Sequence, residues 1–293
     1  AEVMMALFRL GYRADTLDPR DRYDAMRKGA ECLMSFQEVA NKGGQDDGLL
    51  GGGKDADGVY RTWRWAHHNA YAYWALRMAA SWAKWGGENA FAARCNRSAE
   101  RIAEGLMAHL YDDVAGVWHI AIDEDGAPQW IAGLEGRPNW VQYAPAMLDL
   151  PLGVDRRRVG EWIHSTFQQG DGSCIGFTSD GESEATRKYP GHAFRASLVW
   201  LDNARVTPGQ GNYAQSATNW AESSALWQTT PDDQAITGGW IDWVEVAPNA
   251  DLTAETWERF IDTSAYAILS WGGGYDFGIA GVSLPLFLHR IRE

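Results

Sequence analysis

Apolar positions along this chain follow a helical period, and two kinds of helix alternate. Trp63, His67, Ala70, Trp74, Met78, Trp82 and Trp85 recur at helical spacing, and the opposite face carries Ala72, Leu76, Ala79 and Ala83. A helix apolar on both faces is buried all round. The next segment differs: Phe91, Cys95, Ile102 and Leu106 make one stripe, while Arg94, Arg97, Glu100, Arg101 and Glu104 make a polar face. That pattern predicts a helix on the outside. The same contrast recurs downstream. Outer helices are expected near 21–40, 88–111, 156–169 and 211–228, and inner helices near 62–85, 138–150, 190–204 and 254–271. Residues 1–13 and 284–292 add a further helix at each end.

The connections alternate as well. Links from inner to outer helices are short, as at Gly86-Gly87. Links from outer to inner helices are long, at 41–61, 112–137, 170–189 and 229–253. Loops longer than about 12–15 residues are uncommon in compact domains and usually carry function. In an alternating ring of hairpins all four would open above the N-terminal ends of the inner helices. The expectation is therefore an all-α fold over 1–293 as a single domain. It would be an α/α toroid of about five to six helical hairpins, with short β-hairpins in the long loops. Val117–Ile122 reads as a strand followed by an Asp125-Gly126 turn, and 238–246 alternates like a second strand. Gly51-Gly52-Gly53 marks permissive backbone in the first long loop.

Composition narrows the partners. The 293 residues carry a net charge of −13, which argues against nucleic acid or an anionic membrane surface as partner. No apolar run reaches the length of a membrane span. Cys32, Cys95 and Cys174 lie far apart, in no metal-binding spacing, so neither a disulfide framework nor a metal or other cofactor is expected. Asn96-Arg97-Ser98 fits a glycosylation pattern but falls within an expected helix. The chain starts at Ala1 without a basic-then-apolar leader, as a processed or trimmed chain would. An extracellular or periplasmic location is favoured, cysteine usage leaves the compartment open, and nothing in the sequence sets the oligomeric state.

The 16 tryptophans change the picture more. Some build core, with Trp74, Trp82, Trp200 and Trp257 the candidates. Others are placed to stack on sugar rings: Trp63, Trp140, Trp240 and Trp243, each at a loop–helix boundary or in a long loop. Glycosidic hydrolysis needs two carboxyl groups flanking the scissile bond, one of them kept protonated. The long loops offer Glu135, Asp242, Glu245 and Asp57. Glu135 precedes an inner helix, where it serves equally well as a charge at the helix N-terminus. Asp242 stands between two tryptophans, whose desolvation raises a carboxyl pKa. Asp57 is the member most readily explained otherwise, as the first residue of an Asp-Gly turn. His67 and His68 are adjacent, hence expected on different sides of their helix, one in the core and one toward substrate. Arg137, Tyr143, Tyr189 and His192 complete the expected binding residues, with Lys188 and Arg195 nearby. The cationic members among them would suit a uronate, and would equally pair with Glu182 and Glu184.

The alternation of buried and amphipathic helices resembles the α/α toroid carbohydrate-active superfamilies, those of six-hairpin glycosidases and toroid polysaccharide lyases. Asp262-Thr263-Ser264-Ala265 looks like a pattern on a late inner helix of unsaturated glucuronyl hydrolases, and Trp140-Val141-Gln142 is similar to their Trp-Val-Asp segment. Gln142 stands where that family places its catalytic Asp, so that mechanism does not carry over. His67-His68-Asn69-Ala70-Tyr71 is loosely similar to the Asn, His and Tyr machinery of toroid lyases. The resemblance implies a glycoside hydrolase using two loop carboxylates. The alternatives are a lyase acting by Tyr- or His-assisted β-elimination and a non-catalytic glycan-binding toroid.

Overall fold

The computed structural model describes residues 19–40, 46–54, 60–129, 158–162, 168–169, 176–177, 187–188, 199 and 244–245. The chain divides into two compact units, Ala1–Gly133 with Leu150–Gly153, and Leu134–Asp149 with Val154–Glu293.

In the first unit, α1 (Pro19–Ala40) opens on a proline, whose fixed φ and missing N–H suit a first helical turn. It buries Met26, Ala30 and Gln37 along one face. Next comes α2 (Ala66–Trp85), with twelve of its twenty residues buried, among them Ala72, Tyr73, Trp74, Ala75 and Leu76 in succession. Five consecutive buried positions span every direction around the axis, so α2 is the inner helix that its two apolar faces predicted. By contrast, α3 (Asn89–Gly105) buries a single stripe of Phe91, Ala92, Cys95, Ser98, Ala99, Ile102 and Ala103. Burial pushes the Cys95 thiol up to about 11, which keeps it protonated and unreactive. The glycosylation pattern lies within α3, where the Ser98 hydroxyl is buried and donates to Gln37 Oε1.

The turn from α2 to α3 closes on local bonds. Gly86 N–H donates to Trp82 O at 2.9 Å and Glu88 N–H to Ala83 O at 2.8 Å. Gly87 takes a φ of 80°, a conformation that costs a residue with a Cβ. Past Gly105 the last turn of α3 widens into a π-turn, Leu106–Leu110, which buries both leucines.

The long loops are built from two-residue strands. In the first, β1 (Gly53–Lys54) pairs with β2 (Tyr60–Arg61). After α3, β4 (Tyr111–Asp112) pairs with β5 (Val117–Trp118). Then β3 (Arg64–Trp65), β6 (Ala121–Ile122) and β7 (Pro128–Gln129) form a three-stranded antiparallel sheet with β6 in the centre. Asp112 and Asp123 each accept two backbone N–H groups with one carboxylate oxygen, closing the turns at Gly116 and Gly126. The first two long loops therefore meet through β3 and β6, at the N-terminal end of α2.

Two boundaries depart from the sequence reading. The inner helix begins at Ala66, not near 62, because Arg64 and Trp65 pair with Ile122 and Ala121 and Ala66 N–H is taken by Ile120 O at 3.0 Å. Val117–Ile122 is two strands, not one, because its halves have different partners and His119 N–H turns aside to Leu110 O at 2.8 Å.

In the second unit, Val159 in the helical segment 158–162 and Val199 are buried. There β8 (Gln168–Gln169) pairs with β9 (Gly176–Phe177). Likewise β10 (Arg187–Lys188) pairs with β11 (Val244–Glu245), joining the third and fourth long loops.

Candidate functional site

The entrance to α2 collects the aromatic and imidazole groups. Strand residues alternate faces, so Trp63 and Trp65 lie on one side of β3 and Arg64 on the other. The two indoles are 5.8 Å apart, tilted by 40°. Trp65 meets His67 edge-on at 5.9 Å and His68 at 6.0 Å. The two imidazole centroids are only 4.1 Å apart. The expectation that the two histidines point to different sides is corrected: both rings gather beside Trp65, in the first turn of α2. Trp63, Trp65 and His67 are half-buried, and His68 is exposed. One turn further on, Tyr71 stands 6.0 Å from the buried Trp74.

His68 is open to solvent at its rim, yet enough protein surrounds it to strip water from the imidazolium. That desolvation holds its pKa below the ordinary histidine value. The positive end of α2 acts in the same direction. A neutral imidazole in this position accepts a proton near neutral pH.

Behind the wall lies a buried polar brace. Arg64 Nε lies 2.6 Å from Asp47 Oδ2, and both side chains are almost fully enclosed, at 4% and 3% exposure. The Nε–H is not aligned on the carboxylate, so the contact is an ion pair and not a hydrogen bond. The guanidinium also donates to Asp123 O and Ala40 O, each at 3.1 Å. Asp47 Oδ1 accepts Leu49 N–H at 2.9 Å. Asn69, buried in the first turns of α2, accepts Leu50 N–H at 2.8 Å, and its amide donates to Leu50 O at 3.1 Å and Trp65 O at 3.0 Å. Gln37 bonds Gly48 O and Ser98 O. Two glycines let the 46–50 segment lie this close to α3. A Cβ on Gly48 would strike the Arg101 carbonyl, and one on Gly105 would strike the Asp47 carbonyl and Leu49.

Of the residues expected from sequence, Trp63, His67 and His68 are brought together. Glu135, Asp242, Asp57, Arg137, Trp140, Tyr143, Tyr189, His192, Trp240 and Trp243 lie outside the described residues. Glu245 is placed by its backbone alone, opposite Arg187 in the β10–β11 pair. Trp65 was missed, although Trp63-Arg64-Trp65 carries the period-two signal of a strand. Asp47 and Arg64 were missed as well, and Asn69, expected only through its likeness to lyase machinery, instead braces Leu50. No group of His, Cys, Asp and Glu suited to a metal occurs among the described residues, and none of their helices is long and apolar enough to cross a membrane.

No protein-family model and no curated protein matches the chain. Solved structures do. A D-mannose isomerase aligns over 92% of this chain and 68% of its own, with a TM-score of 0.64 at 12% identity. A family 76 glycoside hydrolase from a bovine Bacteroides thetaiotaomicron strain aligns over 84% and 51%, with a TM-score of 0.56 at 11% identity. The cellobiose 2-epimerase of Bacillus thermoamylovorans aligns over 73% and 56%, with a TM-score of 0.50 at 12% identity. The chain thus spans about two thirds of the isomerase and about half of the other two. The fold of this chain, whose described residues are mostly helical, is the one shared by these α/α toroid carbohydrate-active enzymes.

Proposed function

We propose that this chain is an enzyme acting on a carbohydrate, with its substrate seated at the N-terminal end of α2. The observation that carries the reading is the wall of Trp63, Trp65, His67 and His68. Indole faces stack on the C–H faces of a sugar, while imidazole nitrogens hydrogen-bond its hydroxyls. Such a wall lies at the meeting of two long loops, in a fold whose solved neighbours are named for work on saccharides. Fold alone does not assign chemistry, so the reaction is argued from the groups available.

The first reading is glycoside hydrolysis by two loop carboxylates, Glu135 and Asp242, with Glu245 and Asp57 as the further carboxyl groups. The likeness to a family 76 glycoside hydrolase supports it. Trp140, Trp240 and Trp243 would stack on sugar rings. Arg137, Tyr143, Tyr189 and His192 would hold hydroxyl or carboxylate groups of the sugar. The second reading is proton transfer at a sugar carbon, as isomerisation and epimerisation require. It is favoured by the depressed pKa of His68, which keeps a base available beside the indoles. The likeness to the isomerase and the epimerase supports it too.

One experiment separates them. The chain is incubated with a panel of mono-, oligo- and polysaccharides in deuterated water, and products are resolved by chromatography and mass. New reducing ends without carbon-bound deuterium assign hydrolysis. An isomer or epimer of the substrate, with or without carbon-bound deuterium, assigns the imidazole chemistry. An ultraviolet-absorbing unsaturated uronate assigns β-elimination. No turnover, together with no perturbation of tryptophan emission by any saccharide, rejects the carbohydrate reading.

A further inference from the structure

Strand β3 and the residue just before it place two tryptophans on the wall and one arginine behind it. An arginine buried to 3% exposure is costly unless its charge is paired and its terminal nitrogens are bonded. Here Asp47 supplies the counter-charge, and the carbonyls of Ala40 and Asp123 accept from the two terminal nitrogens. These three groups come from three separate stretches of chain: the end of α1, the first long loop and the turn after β6. A planar fork held by three anchors in diverging directions cannot rotate. Arg64 is flanked directly by Trp63 and Trp65, so the fork fixes the roll of β3 about its own axis. Indole stacking needs ring planes held at defined angles, and a strand of only two residues has too few ladder bonds to hold them alone.

We propose that Arg64 is a positioning residue for the saccharide-binding wall: anchored by Asp47, Ala40 and Asp123, it sets the ring planes of Trp63 and Trp65 on the opposite side of β3. The inference rests on the wall being the binding surface, but its central claim is geometric and is tested without substrate. At 5.8 Å and 40° the two indoles couple excitonically, which gives a circular dichroism band in the far ultraviolet. The Trp63→Phe difference spectrum identifies that band among the other tryptophans.

The deciding variant is Asp47→Leu with Arg64→Met. An apolar pair of similar volume in place of a buried ion pair is often neutral or stabilising, but it leaves Leu49 N–H and the Ala40 and Asp123 carbonyls unanswered, so the double variant should melt below the wild type and above Asp47→Leu alone. The expected result is loss of the band in a folded protein. For any saccharide that the wild type turns over, KM should rise about tenfold while kcat changes less than about threefold, the pattern of lost ground-state and transition-state binding alike. A folded double variant that keeps the band and the wild-type KM overturns the proposal, because Arg64 would then serve stability only. Should the double variant fail to fold, Arg64→Lys decides. It keeps the charge facing Asp47 but cannot span the three anchors, so an unchanged band overturns the inference and a weakened band supports it. If no saccharide engages the wild type, the proposed function fails while the exciton band still decides the role of Arg64.

Discussion

The two ends of α2 carry the same kind of residue and treat it differently. At the entrance, Trp65 is half-buried in a cluster of rings, and the backbone beneath it is tied to residues far away in sequence: Ala121 through the β3–β6 pair and Ile120 through Ala66 N–H. At the exit, Trp85 is 63% exposed, and the chain reverses through bonds that span only a few residues. The exit is a local structure, complete once Gly86 and Gly87 allow it. The entrance is assembled where two long loops meet, by pairing between residues more than fifty positions apart. A surface whose geometry must be exact for ligand binding is built from long-range contacts, because local rules alone would leave its side chains free to turn.

The difference between the two ends can be broken first at Asp47. Asp47→Leu alone strands a buried guanidinium, which costs about 3–5 kcal/mol. A melt lowered by on the order of 10 °C is expected; a change of under about 2 °C would show that water reaches Arg64. Next in size comes the imidazole. His68→Ala should lower turnover about a hundredfold if proton transfer at a sugar carbon is the reaction, the scale of general acid–base catalysis, with folding intact. Glu135→Gln and Asp242→Asn should each do the same if hydrolysis is the reaction, and near-normal rates in both would remove the two carboxylates from the mechanism.

The pH dependence sharpens the same point. The folded pKa of His68 lies below its unfolded value, so the unfolded chain binds the proton more tightly. The contribution of neutral His68 to stability is present above the ordinary histidine value of about 6.5 and is lost as pH falls through and below it. Activity that depends on the neutral imidazole should persist to more acid pH than an unshifted histidine permits. An acid limb centred above that value would contradict the desolvated setting.

Smaller effects belong to the exit. Gly87→Ala puts a Cβ at a φ of 80° and should cost about 1 kcal/mol, seen in the melt with turnover unchanged. Trp85→Ser removes an exposed ring and should stay within about 0.5 kcal/mol. If Trp85→Ser proves as damaging as Trp65→Ser, the contrast between the two ends fails.

The helices of the first unit were legible because their signal is local. The apolar all-round segment became α2 and the one-sided stripe became α3, each within a few residues of the expected bounds. Trp63 followed helical spacing in the sequence and was read into the helix, but pairing with a strand more than fifty residues away took the backbone extended. Tertiary contact overrode a local pattern that fitted either state. The same cause hid the brace. Asp47 sits in a Gly- and Asp-rich loop where a carboxylate reads as a turn residue, and nothing nearby announces a buried partner at position 64. Asn69 was read only through the likeness of His67-His68-Asn69-Ala70-Tyr71 to lyase machinery, and nothing local announces its bonds to Leu50. Trp85 failed in the opposite sense: its spacing placed it on the buried stripe, but it is the last residue of the helix and is 63% exposed. Trp63, His67 and His68 could be singled out because an aromatic or imidazole group at the mouth of an inner helix stands out by position alone, and their rings lie together around Trp65.

Asn69 does the work of a strand with a side chain. Its amide answers both backbone groups of Leu50, so one loop residue is paired as if in a ladder although no ladder runs past it. The Leu50 amide proton therefore exchanges with solvent only when the first turns of α2 let go of the loop. Followed by hydrogen–deuterium exchange, that one proton becomes a gauge of the wall read from behind. Protection at Leu50 that rises on adding a saccharide would report occupancy of the front surface through a bond that touches no ligand.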